Sequence, residues 1–170
     1  MFEIKKGEPI TSEVPTRHFQ RDLEYESDQV HLWLLSHKES TAGFLVYFIV
    51  DNRIVVHIRP PHVDLGPEVR NLDSTEKIGD EAIFIVHKFR KMGGMKKLVS
   101  ELLVDASHSD TREIHMIDIS QDWLIGKLSE LLKSSDYNQI YIIQPQENEG
   151  GKSLVAIRNS KLKTDLGVPK

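Results

Sequence analysis

Cysteine is absent from the 170 residues. Its absence excludes disulfides, a thiolate nucleophile and cysteine-based zinc or iron–sulfur sites. That composition fits a reducing compartment, and a cytoplasmic location is expected. A long apolar run is missing too. The longest, at 43–50, is far too short to cross a bilayer, so no membrane partner is expected. No apolar stretch follows Lys5 and Lys6, so no secretory leader is expected either. Positive charge is not in excess: 22 Lys and Arg stand against 26 Asp and Glu, a net −4. Nucleic acid is therefore not expected as a partner. No repeat or low-complexity segment occurs. His31, His57 and His115 show no metal-ligand spacing, so no metal site is expected. Ser100, Ser107 and Ser120 lie in no nucleophile-elbow context.

Against these absences, 39% of residues are hydrophobic, enough to bury a core at a length that suits a single domain. The order of elements is informative. Residues 30–35 and 43–50 read as strands, rich in β-branched and aromatic side chains. Asp51 and Asn52 follow at hairpin spacing, with 53–58 as the return strand, and Asn52 suits the positive φ of a tight turn. A short helix is expected over 16–25. Residues 60–79 carry Pro60, Pro61, Gly66, Pro67 and Gly79 and read as a long loop with a helical turn around 67–72.

Residues 81–87 form a nearly continuous apolar strand. Met95, Leu98, Val99, Leu102 and Leu103 then recur on one face of a helix that ends near 107–110. A strand over 112–119 follows, then a helix over 122–134 with Ser120 as its N-cap. Further strands fall at 140–143 and 153–157, and the tail from Lys161 is polar. Trp33 and Trp123 read as core or semi-buried aromatics. The whole is an α+β fold with a central strand–helix–strand–helix unit.

Chemistry concentrates at residues 90–95, reading RKMGGM, between strand and helix. Glycine permits close backbone approach to a ligand, and the free N–H groups of a first helical turn favour an anion. Arg90, Lys91, Lys96 and Lys97 add positive charge. The spacing matches neither a Walker A loop nor the dinucleotide G-x-G-x-x-G.

Residues 83–99 resemble the central motif of the GCN5-related N-acetyltransferases (GNAT): a strand, an Arg/Gln-x-x-Gly-x-Gly/Ala turn, and a helix. Arg90 and Gly93 match its first two fixed positions. Met95 stands where the family has Gly or Ala. The resemblance implies a mixed, mostly antiparallel central sheet flanked by helices in one domain. It divides the chain into an N-terminal segment packing on the domain (1–29), an acyltransferase domain (30–158) and a polar tail (159–170). It implies acetyl-coenzyme A as cosubstrate, bound by Phe84, Ile85 and Val86 along the pantetheine arm. Arg90, Lys91, Met92, Gly93, Gly94, Met95 and Lys96 would lie around the pyrophosphate.

The implied reaction moves an acetyl group to an amine, on a small molecule or a protein. Glu81 and His87, at the ends of the central strand, are the nearest candidates to take the amine proton. Residues 60–79 and the first 30 residues would border the acceptor. Tyr137 resembles the family's downstream aromatic. Leu132 sits where a tyrosine often protonates the departing thiolate, which favours an alternative: a catalytically degenerate member acting as a regulatory or partner-binding module. A homodimer through strand edges at the chain's end is also expected.

Overall fold

The computed structural model describes residues 1–20, 23–57, 65–72, 82–144 and 151–159. Their body is a mixed, mostly antiparallel sheet of nine strands with helices packed on it. At its centre β3 (Leu23–His37) and β4 (Ser40–Val50) run antiparallel, with Trp33 opposite Leu45. A tight turn leads from β4 to β5 (Arg53–His57). The positive φ in that turn belongs to Asp51 (57°), not to the expected Asn52. Aspartate tolerates the left-handed region for the same reason as asparagine, a short side chain that can bond locally.

The expected helix over 16–25 is not formed. Residues 16–20 belong to β2 (Ile10–Gln20) and 23–25 to the start of β3, and the two strands pair antiparallel. Pairing along a long neighbour overrides a weak local preference. Pro15 lies where the register shifts between Thr11 and Thr16, the kind of irregularity that tolerates a missing N–H. β1 (Phe2–Lys6) pairs with the second half of β3 and forms one end of the sheet.

The other edge of β4 is shared. Its C-terminal half pairs with β5, Phe48 opposite Val55. Its N-terminal half pairs with β6 (Ile83–Ile85), Gly43 opposite Ile85. β5 and β6 are thus two pieces of one strand line. The chain leaves that line after β5 and rejoins it at β6, and the described part of the excursion holds the short helix α1 (Pro67–Arg70). The strand expected over 81–87 is therefore shorter, and residues His87–Phe89 form a 3-10 turn.

From there α2 (Gly94–Ser107) crosses to β7 (Glu113–Ile119), which lies parallel to β5. The predicted stripe of α2 is real. Leu98, Val99, Leu102 and Ala106 are fully buried, while Met95 and Leu103 are partly so. Each buried leucine stabilises by about 1.5–3 kcal/mol. On the outer side Lys6 of β1 bonds Glu101 (2.8 Å) and Asp105 (2.9 Å) of this helix. α3 (Asp122–Leu132) packs beside α2, and its N-cap is Gln121 with no side-chain cap bond, one residue beyond the expected Ser120. Trp33 is buried as expected, whereas Trp123 is 65% exposed at the open start of α3. β8 (Gln139–Ile143) and β9 (Lys152–Ile157) complete the order β1-β3-β4-β5-β7-β9-β8. No helix among the described residues is long and apolar enough to cross a membrane.

Candidate functional site

The sheet parts beside β6. The N–H of Val46 donates to Ala82 (2.7 Å) and that of Val86 to Ala42 (2.8 Å). Backbone groups alternate sides along an antiparallel ladder. The N–H and C=O of Ile83 and Ile85 therefore point away from β4. On that side β5 is held by β7 as far as His57 opposite Ile117. β6 has no strand partner there among the described residues. β7 bulges between Met116 and Ile119, with Asp118 at φ 65° and its Oδ1 accepting the N–H of Gly151 at 2.8 Å. The result is a notch bounded by the outer edge of β6 and the end of β7.

The outer edge of β6 runs into a turn built for close approach. Lys91 (φ 65°) and Gly93 (φ 88°) both adopt the left-handed region, and Gly93 is the N-cap of α2. The conformation costs lysine on the order of 1 kcal/mol, which the surrounding structure must hold. Gly94, the first helical residue, is buried. A Cβ there would lie 2.8 Å from Leu35 Cδ2 and 3.1 Å from Ile85 Cδ1. Absence of a side chain thus lets the helix start rest directly on β3 and β6. Phe89 holds the turn from below, its ring packed on His37 (5.2 Å) and Phe2 (6.4 Å).

The electrostatics favour an anion. The first turn of α2 carries no acidic residue, and Lys91, Lys96 and Lys97 are exposed around it. The first-turn N–H groups and the helix dipole add to their field. Arg90 Nε donates to the carbonyl of Ile85 at 2.9 Å, so this side chain braces the turn against the strand.

The sequence-predicted residues from Phe84 to Lys96 therefore form one continuous strand, turn and helix start. Phe84, Ile85 and Val86 are buried, while Met92 is 50% exposed. Met95 turns towards the core. Glu81 lies outside the described residues. His87 is exposed and lines a cleft of about 540 Å³ with Ser40, Thr41, Glu68, Asn71 and Lys88. Sequence reasoning missed Ser40, Thr41, Glu68 and Asn71. The prolines and glycines of 60–79 marked a loop, but nothing local placed it against the β3–β4 turn.

Two features sit away from the notch. Leu132 is fully buried, and the Tyr137 hydroxyl is buried and donates to the Thr111 carbonyl at 2.6 Å. Tyr137 is a structural post at the foot of α3. His115 is buried on β7, its Nε2 2.7 Å from Glu113 Oε1 and its Nδ1 without a hydrogen-bond partner among the described residues. Burial pushes its pKa below the ordinary value, against the opposing pull of Glu113. No group of His, Asp or Glu among the described residues could hold a metal ion.

No protein-family model and no curated protein matches the sequence. Solved structures do match the fold. The ribosomal-protein-S18-alanine N-acetyltransferase from Escherichia coli superposes with a TM-score of 0.51 at 10% identity, covering 94% of this chain and 96% of that one. An acetyltransferase of the GNAT family from Staphylococcus aureus Mu50 gives 0.46 at 10% identity over 74% of this chain and 66% of that one. The paia N-acetyltransferase from Thermoplasma acidophilum, in complex with coenzyme A, gives 0.48 at 8% identity over 76% and 61%. The chain spans less than two thirds of the length of these last two. The near-complete overlap with the Escherichia coli protein shows the architecture: this chain shares the fold of that N-acetyltransferase.

Proposed function

We propose that the chain is an acetyl-coenzyme A-dependent N-acetyltransferase acting on an amine. The observation that carries this reading is the outer edge of β6, which pairs with no strand among the described residues, running straight into the left-handed turn at the start of α2. The sequence resemblance over 83–99 and the fold support it together.

The residues fit the cosubstrate part by part. An extended amide arm can bond the outward N–H of Ile83 and Ile85 as an added strand would. A pyrophosphate can lie on the N–H groups at the head of α2, with Lys91 and Lys96 near its charge. An outward N–H of β6 near Ile85 can also polarise a thioester carbonyl. The amine nitrogen attacks the carbonyl carbon, the C–N bond forms, and the C–S bond breaks. Holding the two reactants together supplies much of the acceleration.

A second reading has one observation of its own. Leu132 and Tyr137 are both buried in the core, so neither offers a proton to a leaving thiolate. A member that binds the coenzyme without turnover, as a regulatory module, would look the same at the turn. A thiol-release assay separates the two readings. Incubation with acetyl-coenzyme A and a broad amine panel yields free thiol and acetylated amine if the chain is an enzyme. Saturable coenzyme binding with no thiol above background would establish the regulatory reading.

A further inference from the structure

Asp118 stands where the two halves of a strand line change over. Counting on from Phe48 opposite Val55, His57 reaches the level of Val46 on β4. β6 joins at the same level, where the N–H of Val46 donates to the carbonyl of Ala82 at 2.7 Å. β7 accompanies β5 up to this level, with Ile117 opposite His57. The next residue of β7 is Asp118, and from there β6 is the strand that β7 would meet.

β7 does not run on beside β6. Met116 faces Leu154 of β9 and Ile119 faces Lys152, so three steps along β7 match two along β9. A bulge of this kind bends its strand and raises its twist. Asp118 takes up the extra residue with φ 65°, in the left-handed region that aspartate tolerates better than a branched side chain does. Its Oδ1 accepts the N–H of Gly151 at 2.8 Å. Gly151 lies tightly against the bulge, since a Cβ there would collide with the Ile119 carbonyl. The side chain and the facing glycine thus lock the bend in place. It falls one residue after the last β5–β7 pair, at the first level of β6. The outward N–H groups of Ile83 and Ile85 are the ones that a straight β7 would cover.

We propose that Asp118 is a positioning residue: its left-handed backbone and its bond to Gly151 hold β7 bent away from β6 and keep the notch open. The inference rests on the acetyltransferase reading for what fills the notch, and on the strand register for what opens it. Asp118 acts through the course of the β7 backbone. With the bend released, β7 straightens, pairs with β6 and protects the N–H groups of Ile83 and Ile85.

The test uses the full chain, first without cosubstrate and then with acetyl-coenzyme A. Asp118→Val removes the acceptor and puts a β-branched residue where φ is positive. Hydrogen exchange at the N–H groups of Ile83 and Ile85, read by NMR, should slow about tenfold or more in this variant. Calorimetry should show acetyl-coenzyme A affinity lowered about tenfold. Asp118→Asn keeps an oxygen for Gly151 and tolerates the left-handed region, so it should restore both values. Should Asp118→Val not fold, Asp118→Ala carries the same two losses with a smaller side chain and is read in the same way. A contact that only adds stability would leave exchange at Ile83 and Ile85 unchanged or quicken it. That result in a folded variant would overturn the positioning role. Slowed exchange with undiminished acetyl-coenzyme A affinity would instead overturn the notch as the place of the cosubstrate, and the acetyltransferase reading with it. Absence of acetyl-coenzyme A binding by the parent would overturn that reading alone and leave exchange to decide what opens the notch.

Discussion

The Nε–H of Arg90 donates to the carbonyl oxygen of Ile85, 2.9 Å away, and the guanidinium stands 5.7 Å over the Phe84 ring. The turn is thereby tied to the strand that feeds it. The bond occupies one outward acceptor of β6 and leaves the outward N–H of Ile85 facing the notch. Arg90 acts by positioning. Arg90→Lys cannot reproduce a side-on Nε–H bond with a point charge on a flexible stem. Both Arg90→Lys and Arg90→Met should therefore weaken acetyl-coenzyme A binding, by about tenfold. Calorimetry reads the effect, and equal loss in the two variants marks geometry rather than charge.

At Gly43 the backbone of β4 lies close against β6. A Cβ there would collide with the carbonyl oxygen of Phe84 and lie 3.0 Å from Ile85 Cδ1. Gly43→Ala must push the strands apart. It should lower stability by about 2–3 kcal/mol, read as a shift in denaturant midpoint, and weaken coenzyme binding because the β6 edge moves. Gly126, with nothing among the described residues within 4 Å of its Cβ position on α3, is the control. Gly126→Ala should stabilise by about 0.5–1 kcal/mol.

Tyr137 separates a structural tyrosine from a catalytic one. Its buried hydroxyl bonds Thr111 at 2.6 Å. Tyr137→Phe should cost about 1–2 kcal/mol of stability through that lost bond. It should leave kcat for acetyl transfer unchanged. A fall in kcat without a fall in stability would assign the hydroxyl to the chemistry.

His115 makes stability depend on pH. Burial lowers its pKa in the folded state below the ordinary value near 6.5. The unfolded chain then takes up a proton first as pH falls. Stability is full above that ordinary value and declines as pH drops from there towards the lowered folded value. Thermal midpoints between pH 7.5 and pH 5 should fall, and His115→Phe should flatten part of that slope. Glu113 is half exposed and can be solvated without its partner, so the variant is expected to fold.

Legibility in the sequence followed locality. The β4–β5 hairpin and the buried stripe of α2 were readable because each pattern is complete within a short window, as at Leu98, Val99 and Leu102. The strand, turn and helix start from Phe84 to Lys96 were readable for the same reason. The N-terminal strands were not, because β2 is a polar strand with Pro15 inside it, and its conformation is set by pairing with β3. The division of one strand line into β5 and β6 was invisible too. It depends on both pieces meeting β4 across the intervening excursion. The cleft shared the same difficulty: Glu68 and Ser40 are far apart in sequence and meet only in the fold. Leu132 is fully buried, which explains why an apolar residue stands there.

The central claim is that the β6 edge and the α2 turn bind acetyl-coenzyme A. Calorimetric titration of the intact chain tests it most directly, beside Gly93→Glu, which places a carboxylate at the exposed turn, and Gly93→Ala, which carries the same backbone strain at φ 88° without the charge. The account predicts saturable one-to-one binding by the parent. It also predicts stabilisation of about 2.7 kcal/mol at a hundred times Kd, and loss of binding in Gly93→Glu beyond that in Gly93→Ala while both circular dichroism spectra are retained. No heat and no thermal shift from the parent protein, or binding by folded Gly93→Glu no weaker than by Gly93→Ala, would contradict it.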